Sequence, residues 1–261
     1  MTQRKGKRII HPLYQNQREE LIQLIEAYDE LTTYIFKGNR NTIKGATLST
    51  GQQVAIKSFK IPNEFNKRVY KFFRKPKGLR SFEHAEKLKE LGVANPQAVA
   101  YFEFSTTTTI RETYYIAEFV DTEITYRDLI TQKNYPDRDV ILEAFVRFSY
   151  NLHEKGIQFL DHSPGNTLIE KQQDGTYKFY LVDINRMKFD QNLSFANRMK
   201  NLAHLTTNIH DIEKMAEHYA LLIGRSSKEV FIRLWLETIK FQFRFYKKKD
   251  LKFRMKKFYF N

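Results

Sequence analysis

Residues 156–189 read GIQFLDHSPGNTLIEKQQDGTYKFYLVDINRMKF, and the spacing of their polar residues decides how the rest of the chain is read. Gly156 closes a run from Val140 to Lys155 in which Ile141, Leu142, Phe145, Val146, Phe148 and Leu152 recur at helical intervals. Asp161 and Asn166 come next, on a stretch that contains the turn signal Pro164-Gly165. Two β-prone runs, Thr167 to Glu170 and Tyr177 to Val182, then flank Asp174-Gly175, a dipeptide that favours a tight hairpin. The second run delivers Asp183 from an apolar strand. Taken singly, each polar residue reads as an ordinary turn or strand-end residue. Their order on helix, loop and hairpin makes one shared site a better reading than three coincidences.

Upstream, Val54-Ala55-Ile56-Lys57 lies in a strand-like run, and strand alternation turns Lys57 to the same side as Ala55. Phosphoryl transfer needs few parts: a lysine on the phosphates, carboxylate and amide ligands for Mg²⁺, and a carboxylate near the acceptor hydroxyl. The chain carries all of them in order. Lys57 is the phosphate contact, Asp161 the base, and Asn166 and Asp183 the metal ligands. The tetrad and the Asp-x-x-x-x-Asn spacing both match the protein-kinase motifs.

The remaining periodicities supply a frame. Leu21, Leu24, Ile25, Tyr28 and Leu31 predict an amphipathic helix, read as an extension over residues 1–32 ahead of the main domain. From Thr33 to Phe59 short β-prone runs alternate with the turns Gly38-Asn39-Arg40-Asn41 and Ser49-Thr50-Gly51-Gln52. Leu79 to Leu91 predicts a helix stopped by Gly92, and Val99 to Phe104 and Tyr114 to Val120 predict paired strands. The fold class is therefore α+β. Residues 33–120 form a small antiparallel sheet with one helix, and residues 121–261 form a mainly helical part, the two lobes expected to flank a cleft.

With Lys57, Asp161, Asn166 and Asp183 in place, the chain resembles the protein-kinase-like superfamily. A narrower resemblance rests on Gly38 to Lys44, Arg80-Ser81-Phe82-Glu83, Asp161 to Asn166 and Val182-Asp183-Ile184-Asn185-Arg186-Met187-Lys188-Phe189. These segments, within Tyr34 to Phe189, are similar to the bacterial lipopolysaccharide core kinases of the Kdo and heptose kinase family. The resemblance implies ATP as donor, Mg²⁺ as metal and a hydroxyl of an inner-core sugar on lipid A as acceptor. It also implies that Gly38, with Arg40 and Lys44, covers the phosphates, that Glu83, or else Glu86, pairs with Lys57, and that the backbone at Glu118 and Val120 holds adenine. Four positions depart from the kinase pattern. Phe159 stands where a histidine is usual, Asn185 stands for a glycine, the phosphate loop is thin in glycine, and the usual acidic helix position falls near Ser81. A small-molecule or protein kinase, and a pseudokinase that binds anionic lipid or RNA, remain alternatives.

Bulk composition bounds the partners. A formal charge of +14, from 44 Lys+Arg against 30 Asp+Glu, favours an anionic one. Lys60 to Arg80 and Thr238 to Asn261 interleave cations with aromatics, a pattern suited to an anionic membrane surface; no RNA-binding motif is present, so nucleic acid is disfavoured. Absence of cysteine excludes disulfides and thiolate metal sites. With no export signal and no long apolar run, the expected place is the cytoplasm, with peripheral attachment at the inner face of the cytoplasmic membrane. The pattern specifies no oligomer.

Overall fold

The computed structural model describes residues 6–38, 41–59 and 74–259, with side chains up to residue 251. Arg40, most of the first basic segment and the last ten side chains lie outside the described residues. The chain divides into two compact units, one holding the first 121 residues with Tyr180–Arg186, the other Thr122–Phe179 with Met187 onward.

The first unit is built on a six-stranded antiparallel sheet: β1 (Gly6–Ile10), β2 (Tyr34–Lys37), β3 (Asn41–Thr47), β4 (Gln53–Phe59), β5 (Ala98–Ser105) and β6 (Ile110–Glu118), in the order β1-β5-β6-β4-β3-β2. The hairpin pairs Ile43 with Lys57 and Lys44 with Ile56, and the next strand pairs Lys57 with Tyr115. Period-2 alternation therefore puts Val54 and Ile56 on a buried face and Ala55 and Lys57 on the other. The first core gathers Val54, Ile56, Val99, Phe102 and Ile116 with Leu21, Ile22 and Ile25 of helix α1 (Arg18–Glu26).

The N-terminal segment is more than a helical extension. Ile9 pairs with Tyr101 and Ile10 with Ala100, so β1 covers what would otherwise be an exposed edge of β5. A short basic run carries too little pattern to announce a strand. Helix α2 (Lys77–Glu90) buries Leu79, Phe82, Ala85 and Leu88, one face at three-residue intervals within the span read from sequence as a helix.

The second unit holds α3 (Tyr126–Thr131), α4 (Arg138–Glu154), α5 (Phe195–Leu202), α6 (Ile209–Ile223) and the long α7 (Ser227–Tyr259). Five short strands follow the larger sheet in chain order: β7 (Ile124–Thr125), β8 (Gln158–Phe159), β9 (Thr167–Lys171), β10 (Tyr177–Leu181) and β11 (Met187–Lys188). β7 pairs antiparallel with β9, and β8 with β11. The core stacks Tyr126 on Phe145, ring centroids 4.0 Å apart, with Ile141, Leu205, Met215 and Tyr219 around them. Among the described residues no helix is long and apolar enough to cross a membrane.

Two imidazoles lie inside this second core. His162 stacks on Phe159 with centroids 5.4 Å apart and lies 5.7 Å from Phe145, and neither ring nitrogen has a hydrogen-bond partner. Burial lowers His162 from 6.5 to about 3 and His153 from 6.5 to about 4. Both are neutral when folded, whereas the unfolded chain protonates them below pH 6.5. Their contribution is complete above pH 6.5 and is lost as pH falls toward 3–4, by about 1.4 kcal/mol per pH unit per imidazole. Urea midpoints measured from pH 7 to 5 should therefore fall, and His162→Leu should make that fall shallower without destabilising the protein at pH 7.

Candidate functional site

Lys57 projects from the centre of β4, with its side chain only 11% exposed, and its ammonium needs a counter-charge. Asp183 supplies it: Lys57 Nζ lies 2.7 Å from Asp183 Oδ1. The same oxygen accepts a 2.5 Å hydrogen bond from Asn185 Nδ2. Asp183 holds a left-handed backbone conformation with φ of 54°. Its neighbours pin it to the first unit. Leu181 N donates to Ala94 O at 3.0 Å, and the His84 ring on α2 donates from Nδ1 to Ile184 O at 2.7 Å. Burial is the largest influence on His84 and lowers its pKa, consistent with a neutral ring that donates from Nδ1.

The helix does not supply the lysine's partner. Glu83, expected there, turns to Lys75, with Nζ–Oε1 at 2.7 Å. Glu86 accepts from His11 at 3.1 Å and from Gln97 at 3.3 Å. Ser81 is buried and donates back to Lys77 O at 3.1 Å. A serine cannot replace a carboxylate as an ion-pair partner, so the charge is met from the Asp183 side. Asn185 also has a different role from a glycine stand-in: the positive φ belongs to Asp183, and the Asn185 side chain clamps that carboxylate.

In the second unit, Asp161 and Asn166 share one tight loop. Ser163 N donates to Asp161 O at 2.7 Å, Asn166 N to Ser163 O at 2.9 Å, and Asn166 Nδ2 to Asp161 O at 2.9 Å. Since the amide nitrogen of Asn166 is engaged by the loop, its carbonyl oxygen is the end left for a metal. Gly165 has a steric reason: a Cβ there would lie 2.9 Å from Arg127 Nη2, so the glycine admits the guanidinium against the loop. The loop is also held from behind by residues without local sequence signal. Asn201 Nδ2 donates to Phe159 O at 2.6 Å, His153 Nε2 lies 3.1 Å from Asn201 Oδ1, and His153 Nδ1 lies 2.7 Å from the Tyr219 hydroxyl. One tautomer satisfies every link: Tyr219 donates to Nδ1, Nε2 donates to Asn201 Oδ1, and the Asn201 amide donates to the backbone.

The other expected contacts are less constrained by chemistry. Gly38 N donates to Asn41 O at 3.1 Å, closing the β2–β3 connection, and a Cβ on Gly38 would collide with the Phe36 ring. Lys44 is no phosphate contact. It is buried, donating to Tyr28 O at 2.9 Å and Asp29 O at 3.2 Å and lying over the Tyr28 and Tyr34 rings. Glu118 N donates to Gln97 O and Phe119 N to Gln53 O, each at 2.9 Å, and the Glu118 carboxylate accepts from the Tyr14 hydroxyl. The backbone at Glu118 and Phe119 is thereby fixed as β6 ends.

The family model for the lipopolysaccharide kinase (Kdo/WaaP) family matches residues 37–224. The chain belongs to that family. Among solved structures it is similar to WaaP in complex with acyl carrier protein, at 16% identity over 93% of this chain and 98% of that one, with a TM-score of 0.58. It is also similar to the Rio2 kinase-ADP/Mg²⁺-phosphoaspartate complex from Chaetomium thermophilum, at 14% identity over 91% and 81% of the two chains, with a TM-score of 0.47. No curated protein matches the sequence. The α+β, protein-kinase-like fold expected from sequence is the fold observed. As a family member the chain is a phosphotransferase, a kinase of the lipopolysaccharide core.

The Lys57–Asp183 pair has an asymmetry that stability measurements expose. Asp183→Ala leaves the lysine, 11% exposed, without a counter-charge; Lys57→Met leaves an aspartate that is 32% exposed and still bonded to Asn185. Asp183→Ala should therefore be the more damaging, by about 1–3 kcal/mol in urea unfolding. Glu83→Gln, which breaks only an exposed pair with Lys75, should change neither stability nor kcat by more than about twofold.

Proposed function

We propose that this kinase transfers the γ-phosphoryl group of ATP to a hydroxyl of an inner-core sugar, Kdo or heptose, on lipid A. The observation that carries the reading is Asp183, positioned by Lys57, Asn185 and the anchored carbonyl of Ile184. Both bonds to its carboxylate fall on Oδ1, which leaves Oδ2 as a hard oxygen ligand, and Asn166 Oδ1 is the second. When bound, Mg²⁺ neutralises the charge of the β- and γ-phosphates.

Lys57 supplies a fixed positive charge for the phosphates, and the Gly38 turn admits their approach. The backbone from Glu118 to Val120 offers adenine its main-chain groups. Asp161 orients the sugar hydroxyl and accepts its proton as the new O–P bond forms; the β–γ bridging O–P bond breaks, and its electron pair leaves with ADP. Because the acceptor is lipid-borne, the chain works as a peripheral protein at the inner face of the cytoplasmic membrane.

An acyl carrier protein as a bound partner is a second reading. It is favoured by the net charge of +14, which suits an acidic protein, and by the similar WaaP chain having been solved with one.

Purified protein with Mg-ATP and Kdo-bearing lipid A should add the mass of one phosphate to the acceptor. Asp161→Ala should reduce that transfer by at least about 100-fold while nucleotide binding is retained. Undiminished transfer by this variant would remove Asp161 as the base, and failure of transfer by the native protein would remove the acceptor assignment.

A further inference from the structure

Helix α7 has two apolar faces. Val230, Leu234 and Thr238 are buried against the second unit, and Phe241 stacks on His204 with ring centroids 4.0 Å apart. Nearly opposite, at successive spacings of four, three, four and three residues, stand Ile232, Leu236, Ile239, Phe243 and Tyr246. All five are exposed, Phe243 to 67% and Tyr246 to 60%. A helix needs one apolar face to join its domain, and this second face is left exposed. At its N-terminal end the stripe widens, since Ile232 and Leu236 line an open groove of about 660 Å³ with Phe195 and Ala196, and with the charged Lys228, Glu229 and Arg233.

The charge beside the stripe selects the occupant. From Ile239 to Leu251 the helix carries Lys240, Arg244, Lys247, Lys248 and Lys249 against Asp250 alone. Lys240, Arg244 and Lys247 run along one flank of the stripe at helical spacing. A second copy packed on this face would bring the same cations with it, and the neighbouring acid, Glu237, has a side chain only 8% exposed and already meets Arg233 and Lys240, so it is not offered to another helix. A surface of anionic lipid offers the opposite charge to the flank and an apolar layer to the stripe, the two requirements of a helix lying in an interface.

We propose that α7 docks this kinase on an anionic bilayer, immersing the stripe from Ile232 to Tyr246 while Lys240, Arg244 and Lys247 contact lipid phosphates. The surface gives the proposed function its place of action, and rests on that reading for its purpose alone. Its binding is measured without turnover.

The full-length protein is sedimented with phosphatidylcholine vesicles, with and without phosphatidylglycerol. Binding should require the anionic lipid, weaken as salt rises, and shift the fluorescence of Trp235, the chain's one tryptophan, to shorter wavelength. The exposed double substitution Ile239→Asp/Phe243→Asp should lower the partition coefficient by more than about tenfold. Its circular dichroism and its transfer to a deacylated, water-soluble acceptor should match the native protein. Equal partition of native and variant proteins would overturn the proposal. So would a native dimer that the variant abolishes while neither binds vesicles, or capture of acyl carrier protein by this face with no vesicle binding. Vesicle binding without sugar phosphorylation would uphold the surface and sink the sugar-kinase reading; phosphorylation without vesicle binding would do the reverse.

Discussion

A lysine almost hidden beneath a β-sheet is tolerable only if an anion meets it, and the ion pair between Lys57 and Asp183 is the constraint around which the first unit is organised. α2 presents Ser81, Glu83 and Glu86 to three other sets of partners, so the carboxylate comes from a segment more than a hundred residues downstream. Asp183 then has two duties, balancing the lysine and serving as the proposed metal ligand. The His84 contact and the Asn185 clamp follow from that double use, because a carboxylate answering to two cations must not swing between them.

The same economy explains the support behind the Asp161 loop. Where many kinases place a histidine two residues before the base, this chain has Phe159, whose carbonyl is held by Asn201 and, through it, by His153 and Tyr219. A buried polar relay takes the place of one side chain. It is fully satisfied at each link, which is the condition under which such a network stiffens a core instead of weakening it. His162 shows the contrast: it is held by aromatic stacking alone, with both nitrogens unmatched.

How much of this was legible depended on range. The loop from Asp161 to Asn166 and the hairpin that ends in Asp183 are local patterns, readable from turn chemistry and spacing. The identity of the lysine's partner is a matter of which side chains meet across the fold, so Glu83 looked suitable on its helix and is elsewhere in space. Lys44 misled for a related reason. Lysine in a hairpin reads as surface, but its strand position opposite Ile56 assigns it to the buried face, where two carbonyls and two aromatic rings receive it. β1 was invisible because its strand character comes from β5 beside it rather than from its own composition.

The membership of Tyr180–Arg186 in the first unit also sets a timetable. A ribosome delivers a chain from its N-terminus, and the six strands are all synthesised by Glu118. Asp183 emerges after roughly 60 further residues, about 3–12 s later at ordinary elongation rates. During that interval the nascent sheet holds a lysine with no anion assigned to it. The first unit therefore reaches its final form only when α3, α4 and the β9–β10 hairpin have been made, so that closing the Lys57–Asp183 pair waits on the synthesis of the loop from Asp161 to Asn166.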